Sequence, residues 1–241
     1  MKRADRFSCS ARMGVVAVTA LVSAIGCASG GFSPQPPDLR GEPKLWVPAF
    51  STKRLSNGLT VHVNPDPYLP MVSVAVGIRG GYLSDPPIHA GLTRLLVTNL
   101  LARTERFDRM AMAASYDAIG APVSFEVLAD GIVLSLEALE DRAAGALKLL
   151  AEVLSRPGFD PAELERTRAE QLSALENGLG RPETVALWGL RQVMFGPRHP
   201  MGLPVYGTRS SIARLSLADL QSRARQILRP ERTVLVVSGN V

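Results

Sequence analysis

The sequence predicts an α+β domain in which helices pack on a largely antiparallel sheet. Three observations predict it. Strand signals come in adjacent pairs, two of them turning on Asn57-Gly58 and Asp130-Gly131, the dipeptides that favour tight hairpins. Helical apolar periods come in runs between and after those pairs. The chain has 241 residues, 46% hydrophobic and 20% charged, which suffices for one globular domain with a real core or at most two small ones.

The front of the chain reads differently from the rest. The formal charge is +5, and Lys2, Arg3, Arg6 and Arg12 against Asp5 supply +3 of it, leaving only +2 for everything after. This basic start precedes Met13 to Gly26, an uncharged apolar run too short to span about 30 Å of hydrocarbon as a helix but suited to an export signal. Ala24, Ile25 and Gly26 lead into Cys27, a pattern that resembles a bacterial lipoprotein signal in which the cysteine is acylated. Ala24 stands where Leu or Val is usual, and an ordinary cleaved signal is the alternative. The chain's other cysteine, Cys9, leaves with the signal, so Cys27 has no disulfide partner in the processed chain. Residues 1–27 are therefore read as signal and 28–45, rich in Gly, Ser and Pro, as a tether. The expected location is the cell envelope, anchored by lipid to a bacterial membrane, facing the periplasm or the outside. No Lys/Arg-rich run or basic-aromatic interleaving follows, which argues against nucleic acid as a partner.

The folded part, 46–241, is read in order. Residues 53–64 form a hairpin entering a strand, and 71–81 a β-branched strand that exits at Gly80-Gly81. Leu92, Leu95, Leu96, Leu100 and Leu101 mark a helix over 88–102. A second helix around 107–120 ends at Gly120 as C-cap, with Met110 and Met112 as core filler. Two strands flank Asp130-Gly131, and the helix after them stops at Pro157-Gly158. Asp160 caps the next helix, with Pro161 at its first position and Glu163 completing a capping-box pattern. Arg166 and Arg168 with Glu163, Glu165 and Glu170 read as its solvated face. A helix over about 183–195, another capped by Ser216, and a strand at 232–241 complete the pattern.

The order of these elements resembles one domain of the insulinase/pitrilysin family of zinc metallopeptidases. The resemblance is carried by "LSNGLTVHV", "VSVAVGIRGG", "GLTRLL", "RPGFDPAELERTRAEQL", "FGPRHPMG", "SLADL" and "TVLVVSGNV", and it covers about 190 residues. It implies a zinc site on an inverted His-x-x-Glu-His helix, with a carboxylate from a second helix as third protein ligand. Two His one turn apart share the ion, and the intervening Glu acts as general base on its water. Carried over residue by residue, Arg94 takes the first His position, Val97 the Glu, Thr98 the second His and Ala174 the downstream Glu, while Glu170 and Glu176 fall out of register. A guanidinium repels a cation, and an isopropyl or methyl cannot ligate. The resemblance thus implies zinc for the family but no cofactor here.

His62, His89 and His199 have no ligand spacing, and no Gly-x-Ser-x-Gly elbow, phosphate loop or Cys-His pair is present. The favoured reading is a non-catalytic homologue, exported and lipid-anchored, that serves as the inactive or peptide-gripping subunit of a peptidase assembly. Its expected partner is an active metallopeptidase subunit or a second half-domain chain, with peptides as ligands. An active zinc endopeptidase with a relocated metal site and a surface interaction lipoprotein without proteolytic role are the alternatives. In the family, a helix, another strand and a second domain follow the strand ending Gly239-Asn240-Val241, so the domain is expected to lack its last elements. A bare edge at Thr233 to Val241 would invite pairing, and the 241-residue chain is expected to self-associate or be poorly stable.

Overall fold

The structure is a computed structural model that describes residues 50–241. The signal, the tether and Cys27 lie outside the described residues. Strands β1 (Ser51–Arg54), β2 (Thr60–Pro65), β3 (Met71–Arg79), β4 (Ser124–Val127), β5 (Gly131–Leu139) and β6 (Thr233–Gly239) make one sheet in the order β1-β2-β6-β3-β5-β4. Every ladder is antiparallel except β2–β6, which is parallel. The helices are α1 (Leu92–Ala102), α2 (Arg109–Ile119), α3 (Glu140–Ser155), α4 (Pro161–Leu179), α5 (Pro182–Phe195), α6 (Arg209–Arg214) and α7 (Leu217–Ile227). The α+β expectation therefore holds, as do both tight hairpins.

Alternation along the strands sets the faces. Val72, Val74, Val76 and Ile78 of β3 are buried with Ile132, Leu134, Leu136 and Ala138 of β5, whereas Met71, Ser73 and Arg79 are exposed on the other face. Helix α1 is the centre of the helical layer. Leu95 and Leu96 are 0% exposed and Val97 is 1% exposed, packed in the same core as Leu220, Ala224 and Ile227 of α7. Only Arg94 and Thr98 break the buried run from Gly91 to Leu100.

Local chemistry explains the helix ends. Asp108 caps α2 and Gly120 closes it at φ +66°, a left-handed conformation that glycine adopts without strain. Asp160 accepts from the backbone N–H groups of Ala162 and Glu163. Ser216 and Asp219 form a reciprocal capping box on α7.

Several expectations need correction. The last strand is not an edge: β6 lies between β2 and β3, hydrogen-bonded on both sides, and the sheet edges are β1 and β4. The argument for self-association from a bare edge at Thr233 to Val241 therefore falls. The capping box at Asp160 is only half formed, because the Glu163 carboxylate turns to Arg109, 2.5 Å away. Glu163 is thus buried, and the solvated face of α4 is narrower than expected. Arg168 pairs with Glu165 but also donates to the carbonyls of Ile212 and Leu215, holding the end of α6 against α4. Met112 is core, at 1% exposure, but Met110 is 78% exposed.

Candidate functional site

The site region lies where α1 faces α4, with β4 and the loop before α6 beside it. The N-terminus of α1 is fixed first. Asp85, 3% exposed, accepts from the Thr93 backbone N–H at 2.9 Å and from the Thr93 hydroxyl at 2.5 Å. Arg223 of α7, 5% exposed, has its Nε 3.5 Å from the Asp85 carboxylate and donates to Thr93 Oγ1, the Gly80 and Gly81 carbonyls and Ser84 Oγ. Burial pushes the Asp85 carboxyl above its ordinary range, against the pull of the Thr93 donors and the Arg223 cation. Burial also lowers Arg223 from its usual value, with Asp85 opposing.

The loop before α6 is pressed onto the same helix end. Gly91 sits at φ +91°, and a Cβ there would meet the Tyr206 carbonyl oxygen at 2.4 Å. Gln171 of α4 donates to the carbonyls of Gly91 at 3.1 Å and Tyr206 at 2.7 Å. This seats the Tyr206 ring over Arg94, with the guanidinium carbon 4.2 Å from the ring centroid, and 5.2 Å from that of Phe125 on β4. Further along, Asn99 of α1 donates to Thr167 of α4 at 2.5 Å. Thus hydrogen bonds tie α1 to α4.

The positions read from the sequence fall as follows. Arg94 and Thr98 share the one half-buried strip of α1, and Thr98 spends its hydroxyl proton on the Arg94 carbonyl at 3.1 Å. Val97 points into the core. Ala174 is on α4, half-buried. Helices α1 and α4 therefore come together as the resemblance implies, but what they offer is a cation, a core isopropyl, a hydroxyl and a methyl. These residues do not fit zinc. Elsewhere, His62 bonds Thr52 on the open sheet face at 2.8 Å, His89 lies 3.9 Å from Asp219, and His199 stacks on Phe195 and accepts from the Met201 N–H. Among the described residues no three His, Cys, Asp or Glu side chains converge as a metal site.

Two features escaped the sequence. The Asp85–Thr93–Arg223 network had no local signal, since Thr93 and Arg223 are 130 residues apart. The aromatic clamp on Arg94 joins a loop, a helix and an edge strand, and nothing in "PVYGT" announces it.

Fold and site together define a metallopeptidase-type domain in which Arg94, Val97, Thr98 and Ala174 stand at the positions that the resemblance gives to the metal site. The insulinase (peptidase family M16) pattern matches residues 60–195, and the chain belongs to that family. It is 26% identical over 197 residues to the mitochondrial-processing peptidase subunit beta of Blastocladiella emersonii, covering 82% of this chain and 42% of that one. It is 24% identical over 173 residues to the non-peptidase homolog YmxG of Helicobacter pylori, covering 72% and 40%. The crystal structure of a peptidase M16 inactive domain from Pseudomonas fluorescens superposes with a TM-score of 0.74 at 25% identity, covering 80% and 47%. The chain spans less than half the length of these relatives.

Proposed function

We propose that this chain is a non-catalytic M16-family subunit, exported and lipid-anchored through Cys27, that grips peptide or completes the enclosure of an assembly whose chemistry resides on another subunit. What carries the reading is that Arg94, Val97, Thr98 and Ala174 stand where the resemblance puts the ligands and the base, inside a scaffold that matches the family over residues 60–195. Two further features support it. Helix α5 has no buried residue, and six of its apolar side chains, from Phe195 at 40% to Val193 at 86%, are at least 40% exposed. Such a surface is costly on a lone domain and suits a protein partner. Strand β4 is a sheet edge next to Arg94, where an extended peptide could add main-chain hydrogen bonds. Among the relatives, one is named a processing-peptidase subunit and another a non-peptidase homolog.

The test combines three assays on the purified chain. Co-purification from envelope extract should recover a subunit carrying an intact His-x-x-Glu-His motif, and peptidase activity should require that subunit. Labelled palmitate should enter the wild-type chain but not Cys27→Ser. Stoichiometric zinc with chelator-sensitive cleavage by the chain alone would favour a relocated active site instead. Recovery of neither peptide nor peptidase would favour a surface lipoprotein.

A further inference from the structure

We infer that Arg94 is the core of a carboxylate-binding site, so that the position the family gives to a zinc ligand here reads an acidic group on a bound peptide. The inference rests on the peptide-gripping reading above and gives that grip its chemistry. It begins with a contrast among the arginines that are mostly out of solvent. Arg109, Arg168 and Arg223, with side chains 31%, 13% and 6% exposed, each face a carboxylate within 4 Å: Glu163, Glu165 and Asp85 respectively. Arg94, Arg103 and Arg191 are also half-buried, and among the described residues no carboxylate or hydrogen-bond acceptor meets their guanidinium groups; of these three only Arg94 is held between aromatic ring faces. Its contacts are the two ring faces, Tyr206 at 4.2 Å and Phe125 at 5.2 Å.

Those rings interact with the charge and the flat face of the guanidinium, not with its N–H hydrogens. The planar fork of donors stays available, in a half-dry setting where leaving it unmatched is unfavourable. Its complement is a carboxylate, which accepts two parallel N–H bonds. The clamp also holds the long side chain in place, so little freedom remains to be lost on binding. The mounting is rigid on each side. Gln171 and the close approach at Gly91 fix Tyr206, while β5 pairs with β4 beneath Phe125. The clamp lies beside the free edge of β4, so a peptide on that edge passes within reach of Arg94. The carboxylate could be an Asp or Glu side chain or a free C-terminus, and the experiment separates the two.

The test uses three fluorescein-labelled Gly/Ser-based decapeptides and fluorescence anisotropy. One carries a central Glu and an amidated C-terminus, one has no acidic side chain but a free C-terminus, and one is neutral throughout. Wild-type chain should bind at least one acidic peptide roughly tenfold tighter than the neutral one, consistent with a charge-assisted hydrogen bond. Whichever of the two is favoured identifies the source of the carboxylate. Arg94→Gln should reduce that affinity to the neutral peptide's value, and Arg94→Lys should keep only part of the preference, because the bidentate fork is gone. Equal binding of all three peptides, or a preference that survives Arg94→Gln, overturns the site. If no peptide binds, the gripping reading fails. A titration with N-acetyl-aspartate amide, followed at the Arg94 Nε–Hε NMR signal, then decides separately: a saturable shift supports the carboxylate site and its absence overturns it.

Discussion

Arg223→Leu probes the buried network that seats the helix carrying the site. Arg223 Nη2 donates to the Gly80 carbonyl at 3.0 Å, the Gly81 carbonyl at 3.1 Å and Thr93 Oγ1 at 3.0 Å, and the Asp85 carboxylate lies 3.5 Å from Nε. Leucine removes every one of these donors and leaves Asp85 as a buried charge with only the Thr93 donors and the nearby His89 to favour it. Breaking a buried pair from one side costs about 3–5 kcal/mol, and each carbonyl left without its donor adds to that at about 1 kcal/mol. Together that is a loss of about 5–7 kcal/mol, which corresponds to a fall of roughly 10–28 °C in melting temperature for a domain of this size. The loss must also depend on pH. Burial already raises the folded-state pKa of Asp85, and Arg223 is one of the groups that restrain it. Without Arg223 it rises further above the unfolded value, so the folded state binds the proton more tightly. The penalty is then largest near neutral pH, where the carboxyl is charged, and shrinks as pH falls toward the ordinary carboxylate range, about pH 4. Urea denaturation of wild type and variant at neutral and mildly acidic pH measures both. A loss under about 1 kcal/mol, or one unchanged between the two, would refute the reasoning.

Other outcomes follow from the same contacts. Leu96→Ala, at a position 0% exposed in the core, should cost about 2–5 kcal/mol in urea denaturation. Gly91→Ala places a Cβ 2.4 Å from the Tyr206 carbonyl at a positive φ; it should lower the melting temperature and displace the Tyr206 ring from Arg94, seen as a change in the Arg94 Nε–Hε shift. Asp160→Ala removes the oxygen that accepts from two α4 N–H groups and should cost about 1 kcal/mol by thermal melting, with little change elsewhere.

What could be read from the sequence divides along physical lines. The hairpins at Asn57-Gly58 and Asp130-Gly131, the Asp160 and Ser216 caps and the leucine face of α1 were legible because turn, cap and period signals are local. The place of β6 was not, because strand order depends on pairing across most of the chain, and a terminal strand looks the same in sequence whether central or at an edge. The residues at the positions that the resemblance gives to zinc, Arg94, Val97, Thr98 and Ala174, could be named from the sequence, and the structure places Arg94, Val97 and Thr98 on α1 and Ala174 on the facing α4. The replacement chemistry was not legible: an Arg between two rings, an Asn–Thr tie and a buried Asp–Arg pair all join residues far apart. Glu163 shows the same limit at short range, since its capping-box spacing was correct but the Arg109 guanidinium outcompeted the Asp160 N–H for its carboxylate.

The most direct test of the central claim is the metal content of the purified chain after exposure to zinc and gel filtration. With a guanidinium, an isopropyl, a hydroxyl and a methyl at the four positions, no zinc should be retained through α1. One tightly held zinc per chain, lost on substitution of Arg94 or Thr98, would contradict the account.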